Sequence, residues 1–286
     1  MAKLTYTNSR GESIAMGRKT NYFVTNIDGF SNVINIINSI KSPNQDGATE
    51  VNSTLDSRHL TIEGEFLQAE RQRGRNKLIQ TFNPKLSGYL KYENQGVIKQ
   101  IACRPESVPI ISTSTLATVP FIINLFAANP YWQDVTESKT EISTETGNFE
   151  FPLEIPPEGL ELSIRTISFI TNIYNQGDVD TPIKVKLKAV GTVINPIIEN
   201  LNTGEYIRIK RTLAEGDTLE INTAFGNKRV EIIKPGGSRE NVFHYIDYKS
   251  KFFSIESGDT QIKYDAEVGE NNLDVSIYYT PNYLGV

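Results

Sequence analysis

The chain of 286 residues contains one cysteine, one tryptophan and two histidines, and each scarcity argues against a class of protein. A single cysteine, Cys103, cannot form a disulfide within the chain or supply a zinc site built from several cysteines. Its alternating neighbours, residues 101–104, are typical of a strand in which a free cysteine packs as a small hydrophobe. His59 and His244 are few for metal binding or acid–base chemistry. We therefore expect no cofactor and no metal site.

Long apolar runs are also missing. The longest, residues 119–128, is interrupted by Asn124 and is too short to cross a bilayer. The first residues, MAKLTYTNSRGES, lack the apolar centre of a signal peptide. We expect a protein that is not inserted into a membrane and that stays inside its cell until something releases it.

Neither half of the chain carries a large excess of basic residues. Residues 1–135 carry 14 Lys and Arg against 11 Asp and Glu, and residues 136–286 carry 15 against 23, which together give the net charge of −5. Neither half has the strongly basic surface that duplex binding needs, so no sequence-specific nucleic-acid partner is expected. The change from +3 to −8 suggests that two differently employed domains meet near residue 136.

Alternating residues and turn signals predict a mainly β second half. Residues 183–189 alternate apolar side chains with lysines, which is the period of a strand with one buried face. Residues 197–200 and 206–209 flank Asn202-Thr203-Gly204, a hairpin signal. Strands are also predicted at residues 219–223, 229–233, 242–247 and 251–255, with a last hairpin from residues 261–264 and 273–279.

One segment of the first half breaks the β period. Residues 67–82 are poor in β-branched residues and predict one helix, which Asn83-Pro84 stops because the residue before proline avoids helical ψ. Its basic residues are interpreted as a solvated face. Strands are predicted at residues 11–16, 22–27, 34–40, 58–66 and 117–128, and a hairpin with a four-residue turn at residues 88–92 and 97–104.

Residues 41–56 form a polar insert between two predicted strands. Composition favours a solvated loop, and the alternative is a projecting hairpin arm that pairs with the sheet edge of a partner. The candidate arm residues are Pro43, Asn44, Gln45, Asp46, Gly47 and Asn52. Tyr131 and Trp132, at the end of the first half, are candidates either for closing a domain joint or for stacking on a sugar ring, and the joint is favoured.

No active-site motif is found. Asp178-Val179-Asp180 lacks the Gly-x5-Glu continuation of a calcium loop, and Gly236-Gly237 lacks the Lys-Ser/Thr of a phosphate cradle. The pattern Gly-x-Ser-x-Gly does not occur. We predict no catalytic residues and no enzyme activity.

Short motifs follow one another in a set order in both halves. In the first half they are Asp28-Gly29, Gln45-Asp46-Gly47, residues 58–62, Phe82-Asn83-Pro84, residues 88–92 and residues 129–132. In the second half they are residues 175–182, residues 216–223 and the final aromatic-Leu-Gly at residues 283–285. In this order they resemble the distal tail protein (Dit) family of siphovirus-type phage tails and tail-like particles.

The resemblance implies two β-sandwich-like domains and a structural role. Residues 1–135 are expected to form a ring-forming β domain with one helix near residues 67–82. Residues 136–286 are expected to form a galectin-like β-sandwich, with residues 136–158 as a joint.

The family forms a hexameric ring that joins the tail tube protein to the tail hub or fibre protein and anchors receptor-binding or other baseplate proteins. We therefore expect a component of the virion tail, or of a tail-like particle, assembled in the bacterial host cytoplasm. The alternative is a stand-alone carbohydrate-binding β-sandwich protein.

Overall fold

The computed structural model describes residues 2–44, 46–113, 117–147, 163–167 and 169–286. The chain divides into two compact units, one comprising Met1–Val135 with Asn282–Val286 and the other comprising Thr136–Pro281. The sequence analysis assigns all of residues 136–286 to the second domain, whereas the structure places the last five with the first unit. Within the described ranges, no helix has the length and hydropathy needed to span a bilayer.

The first unit consists mainly of strands, and up to residue 135 its elements are β1 (Lys3–Asn8), β2 (Ser13–Met16), β3 (Phe23–Asp28), β4 (Asn35–Ile40), β5 (Thr49–Leu55), β6 (Arg58–Leu67), α1 (Arg71–Thr81), β7 (Gly88–Asn94), β8 (Val97–Pro105), β9 (Ile110–Ile111), β10 (Thr118–Ala127) and β11 (Trp132–Asp134). β1 lies outside any predicted strand, although its alternation buries Leu4 and Tyr6 on one face. β5 lies within the segment for which composition favours a loop.

The main sheet of the first unit has the strand order β2-β1-β7-β8-β10-β6-β3, and all its pairings are antiparallel. Alternate residues of β6 and β10 face inward, so that Ile62 lies opposite Ile123 and Leu60 opposite Leu125, all fully or almost fully buried. Each such side chain contributes about 1.5–3 kcal/mol by leaving water. This alternation confirms the predicted period of the long strand that ends the first half.

The single predicted helix is present as α1, preceded by a 3₁₀ turn at Gln68–Glu70. Leu78 and Phe82 point into the core, and the Phe82 ring stacks on Tyr6 with ring centroids 4.5 Å apart. The helix ends at Thr81, before Asn83-Pro84, as the avoidance of helical ψ before proline requires.

The hairpin between β7 and β8 has a tighter turn than predicted. Asn94 pairs directly with Val97, which leaves only Gln95 and Gly96 in the turn instead of four residues. Their φ angles are 50° and 86°, the left-handed pair of a type I′ turn, whose twist matches that of the flanking strands. The prediction of a four-residue turn is therefore wrong.

The second unit contains β12 (Ser138–Glu141), β13 (Ser143–Gly147), β14 (Ser163–Ile167), β15 (Ile170–Asn175), β16 (Thr181–Ala189), β17 (Val193–Asn200), β18 (Glu205–Arg208), β19 (Thr212–Leu213), β20 (Thr218–Asn222), β21 (Arg229–Ile233), β22 (Arg239–Asn241), β23 (Ser254–Ile255), β24 (Gly258–Val268) and β25 (Leu273–Tyr279). The chain then returns to the first unit as β26 (Asn282–Tyr283), which pairs with β11.

Two sheets of the second unit share one core. One sheet has the order β12-β25-β16-β20-β21-β22, and the other has the order β15-β24-β17-β18. Val185 and Leu187 of β16 belong to the same buried cluster as Ile198 of β17 and Tyr264 of β24. The lysines of β16 face outward, as their alternation predicts. The mainly β, two-sandwich fold class is confirmed.

Three local predictions for the second unit need correction. Residues 242–247 include a 3₁₀ turn at Phe243–Tyr245 instead of a strand. β24 and β25 do not form a hairpin, because β24 pairs with β15 and β17 while β25 pairs with β12 and β16. The expected joint contains β12, which pairs with β25 at the edge of the larger sheet. The joint also contains β13, and its last part, residues 148–158, lies outside the described residues.

Candidate interaction surface

The polar insert of the sequence forms half of a projecting hairpin. β4 and β5 pair with each other and with no other strand in the described part of the chain. We call residues 35–55 the arm. Every side chain of β4 is exposed, and so is every side chain of β5 except Leu55, which is half-buried. The arm thus has no core of its own within the described residues.

Both faces of the arm carry apolar side chains. Ile36 and Ile40 lie on one face of β4 and Ile37 lies on the other, because successive strand residues point to opposite sides, while Val51 lies at a bulge in β5. Ile37 is 58% exposed, Ile40 63% and Val51 59%. A two-stranded hairpin by itself is marginally stable in water, and contiguous exposed apolar surface marks interaction sites. The arm therefore exposes apolar side chains on both faces that its own unit does not bury.

The predicted arm residues fall into two places. Pro43, Asn44, Asp46 and Gly47 lie in the exposed connection between β4 and β5, while Gln45 lies outside the described residues. Asn52 lies in β5, where the side-chain amide of Asn38 donates a 2.7 Å hydrogen bond to its carbonyl oxygen.

Sequence reasoning missed the apolar residues of the arm. The segment INIINSI, residues 34–40, places isoleucine at both odd and even positions from Ile34 to Ile40. A strand that packs one face against its own core alternates apolar and polar residues. Isoleucine at both odd and even positions therefore indicates a strand with apolar side chains on both faces.

The first unit also has an uncovered surface that could receive such a segment. A hollow of about 500 Å³ lies on the outer side of the main sheet, lined by Thr7, Asn8, Tyr89, Ala102, Phe126 and Ala128. Tyr89 is 54% exposed and Phe126 is 36% exposed. Thr7 pairs with Ser13 of β2, the last strand on that side of the sheet path. An apolar hollow and a strand edge are therefore adjacent.

Trp132 lies inside the first unit. Its side chain is fully buried, its indole N–H donates a 3.0 Å hydrogen bond to the carbonyl of Phe30, and its ring lies 5.4 Å from the Phe30 ring. Its backbone pairs with Tyr283 of β26. Tyr131 is half-buried. Stacking on a sugar requires an exposed ring face, which Trp132 does not offer.

The second unit has an exposed aromatic surface that the sequence analysis did not single out. Phe225, in the turn between β20 and β21, is 98% exposed. The rings of Phe243 and Phe252 stack with centroids 5.7 Å apart, and the Lys228 ammonium lies 5.2 Å from the Phe252 ring. Tyr248 is 84% exposed. Exposed aromatic rings beside cations are typical of surfaces that bind protein partners.

The described residues show no arrangement suited to nucleophilic or metal chemistry. Burial raises the pKa of the Cys103 thiol to about 12, so this thiol is neutral and unreactive near neutral pH. Among the described residues, no group of three or more His, Cys, Asp or Glu side chains is placed to hold a metal ion.

Comparisons with known proteins agree with this architecture. Residues 9–126 match the phage tail protein RIFT-related domain, and residues 176–283 match the siphovirus-type tail component, C-terminal domain. No curated protein matches the sequence.

Solved structures also resemble the chain. The SPP1 Dit protein, described as a paradigm of the hub adsorption apparatus in phages that infect Gram-positive bacteria, is 11% identical, with 98% of this chain and 99% of that chain covered and a TM-score of 0.72. Chains of the activated phage p2 baseplate, with Sr and with Ca, are 10% and 12% identical, with full coverage of both chains and TM-scores of 0.52 and 0.51. At these identities the similarity concerns the fold.

Proposed function

The chain belongs to the distal tail (Dit) family of siphovirus-type tail components, and we propose that it forms the ring that joins the tail tube to the tail hub or fibre. Membership makes it a structural component of a phage tail or baseplate and places it in the tail of a virion or tail-like particle. The ring is proposed to contain six copies, as the family resemblance implies, and to assemble in the cytoplasm of the bacterial host.

The arm is the observation that supports ring formation most directly. A closed ring requires a heterologous contact, in which one patch of each copy docks on a different patch of its neighbour. The arm carries exposed isoleucines on both faces and pairs with no other described strand. We propose that it is the first of the two patches.

The second patch is proposed to lie on the neighbouring copy's first unit. The free edge of β2 can extend its sheet by pairing with the arm, and the adjacent hollow beside Tyr89 and Phe126 can take isoleucine side chains. Backbone pairing and side-chain burial would then both stabilise the contact.

The experiment is to charge each face of the arm separately. We expect Ile37→Glu on one face, and Ile36→Glu with Ile40→Glu on the other, each to yield folded monomers, because a carboxylate buried in an apolar contact is strongly unfavourable. The matched control is Val97→Glu, which changes a side chain that is 52% exposed at the end of β8 and should leave the ring intact. Molar mass by light scattering and negative-stain images of the same fractions give the result. Rings in both arm variants would remove the arm from the contact.

The second unit is proposed to anchor receptor-binding or other baseplate proteins. Its exposed aromatic surface around Phe225, Phe243 and Phe252 supports this role, because aromatic residues dominate the binding energy of protein interfaces. The ring faces are proposed to contact the tail tube protein and the hub or fibre protein.

The alternative function, a stand-alone carbohydrate-binding protein, rests on exposed aromatic rings of the same unit. With Trp132 buried, Phe225 and Tyr248 are strongly exposed rings of this unit that are suited to stacking on a sugar. This alternative predicts a monomer that is retained on a glycan array and loses retention in Tyr248→Ala. The ring proposal predicts assembly without any glycan.

A further inference from the structure

A buried arginine lies immediately after the arm. Arg58, the first residue of β6, is 2% exposed, and no carboxylate of the described residues forms an ion pair with it. Burial lowers the pKa of its guanidinium, which nevertheless stays protonated at neutral pH. A buried cation without an anionic partner is costly unless its donors are all satisfied, so its hydrogen bonds show what it organises.

Arg58 donates hydrogen bonds to backbone carbonyls from three distant parts of the chain. Nε donates to Pro130 at 2.7 Å, and Nη2 donates to Leu284 at 2.5 Å. The remaining hydrogen bonds, from Nη1 and all within 3.0 Å, reach the carbonyls of Gly29, Phe30 and Asn32. Hydrogen bonds from a charged donor are stronger than neutral ones, so this guanidinium holds the three parts together.

The segment Asn282–Val286 has further attachments to the same place. The Ser31 hydroxyl donates a 2.8 Å hydrogen bond to the carbonyl of Val286. The Tyr283 hydroxyl donates to the Asp134 carboxylate at 3.1 Å, and the Lys99 ammonium lies 3.3 Å from the Tyr283 ring centroid. These contacts are all within the first unit.

The network reaches both ends of the arm. Asn32, an acceptor of Arg58, lies three residues before β4, and Arg58 itself lies three residues after β5. Between them, the amide of Asp56 donates a 2.9 Å hydrogen bond to the carbonyl of Ile34. The two strands of the arm therefore leave the first unit from anchors that share one guanidinium.

We propose that Arg58 and the segment Asn282–Val286 form a clasp that fixes the direction of the arm and thereby sets the geometry of ring closure. The link between the clasp and ring closure rests on the proposed function. A two-stranded hairpin that is attached only at its base can change its direction relative to the domain that carries it. A closed ring requires one fixed direction in every copy. Holding the arm at that angle before contact lowers the entropy lost on assembly.

The test measures the direction of the arm separately from the ring. Nitroxide labels are attached at Ser53→Cys in the arm and at Lys85→Cys, an exposed position of the first unit. The buried Cys103 thiol does not label under native conditions. Labelled chains are diluted into unlabelled ones, and pulsed electron paramagnetic resonance gives the distance distribution within single chains.

Three backgrounds are compared with the otherwise unaltered chain. Arg58→Met removes the guanidinium, and a chain ending at Pro281 removes the segment while keeping Arg58. Arg10→Met is the control, since it removes an exposed arginine of the same unit that has no contact with the clasp. We expect the width of the distribution to increase about twofold in the first two and to stay unchanged in the control.

The outcomes separate the clasp from the ring. Broad distributions together with lost ring mass support the whole proposal. Narrow distributions in both altered chains overturn the clasp, whatever the ring does. Broad distributions with intact rings overturn the link to ring closure and contradict the role of the arm in the proposed function, while the clasp itself stands. If Arg58→Met does not fold, the chain ending at Pro281 decides, because it loses only the five residues Asn282–Val286 and their contacts.

Discussion

Two antiparallel hairpins of the first unit have the same local structure and different surroundings. β7 and β8 lie between β1 and β10 in the main sheet. Leu90 of β7 and Ile101 of β8 are buried in the core. β4 and β5 pair only with each other among the described strands, and Ile37 is exposed. The first hairpin is stabilised by the core of its own chain. The second has no such core among the described residues, and we propose that a neighbouring copy covers it.

The two hairpins should differ most in the loss of stability that follows truncation of one side chain in each. Leu90→Ala should lower the free energy of unfolding by about 2–5 kcal/mol, because it leaves a cavity in the core. Ile37→Ala, at an exposed position, should change it by less than about 0.5 kcal/mol. Urea denaturation of both variants under conditions that keep the chain monomeric provides the measurement. Equal losses would mean that the arm contributes to the core of its own chain.

The first hairpin should also make the stability of the chain depend on pH, because it contains Cys103. This residue lies on β8 opposite Gly88 of β7. Its pKa is raised from 9.0 to about 12, so the unfolded chain ionises first and stability should fall as the pH rises above 9. At pH 10 the expected loss from this group is about 1.4 kcal/mol. Cys103→Ala should remove that part of the slope between pH 9 and pH 10, measured by denaturation. An unchanged slope would show that the thiol does not titrate differently on unfolding.

The smallest expected effect concerns the two turns. Gly96 and Gly47 both have left-handed φ angles, 86° and 81°, which cost a side chain roughly 1 kcal/mol. Gly96→Ala should therefore lower the midpoint of thermal unfolding of the first unit by a few degrees. Gly47→Ala should leave that midpoint unchanged, since the connection between β4 and β5 is not part of the core. A matched decrease in both variants would indicate that the arm unfolds together with the main sheet.

Local patterns predicted much of this fold. Sequence patterns predict three elements correctly because each buries one face against its own unit. They are the lysine-alternating strand β16, the helix α1 and the long strand β10. The sequence does not reveal that β24 and β25 belong to different sheets. Both alternate and a short turn separates them, yet in a two-sheet sandwich such a turn can carry the chain from one sheet to the other.

The candidate surfaces depended on information that is not local. The composition of residues 41–56 indicates exposure but not that Thr49–Leu55 pairs with an apolar partner strand. The hydrogen bond from Arg58 to Leu284 joins residues 226 positions apart, so no pattern in either segment reveals it. Trp132 was placed near a domain boundary, but its burial depends on Phe30 and β26, which come from opposite ends of the chain.

The molar mass of the chain with and without residues 43–52 decides whether the arm forms the ring contact. Deleting residues 43–52 removes the connection and part of β5 while leaving the main sheet and its core untouched. We expect a six-membered ring for the intact chain and, for the deleted chain, a folded monomer slightly lighter than the 32.1 kDa of one intact chain, by light scattering with negative-stain images of the same fractions. A deleted chain that still assembles into the same ring would contradict it.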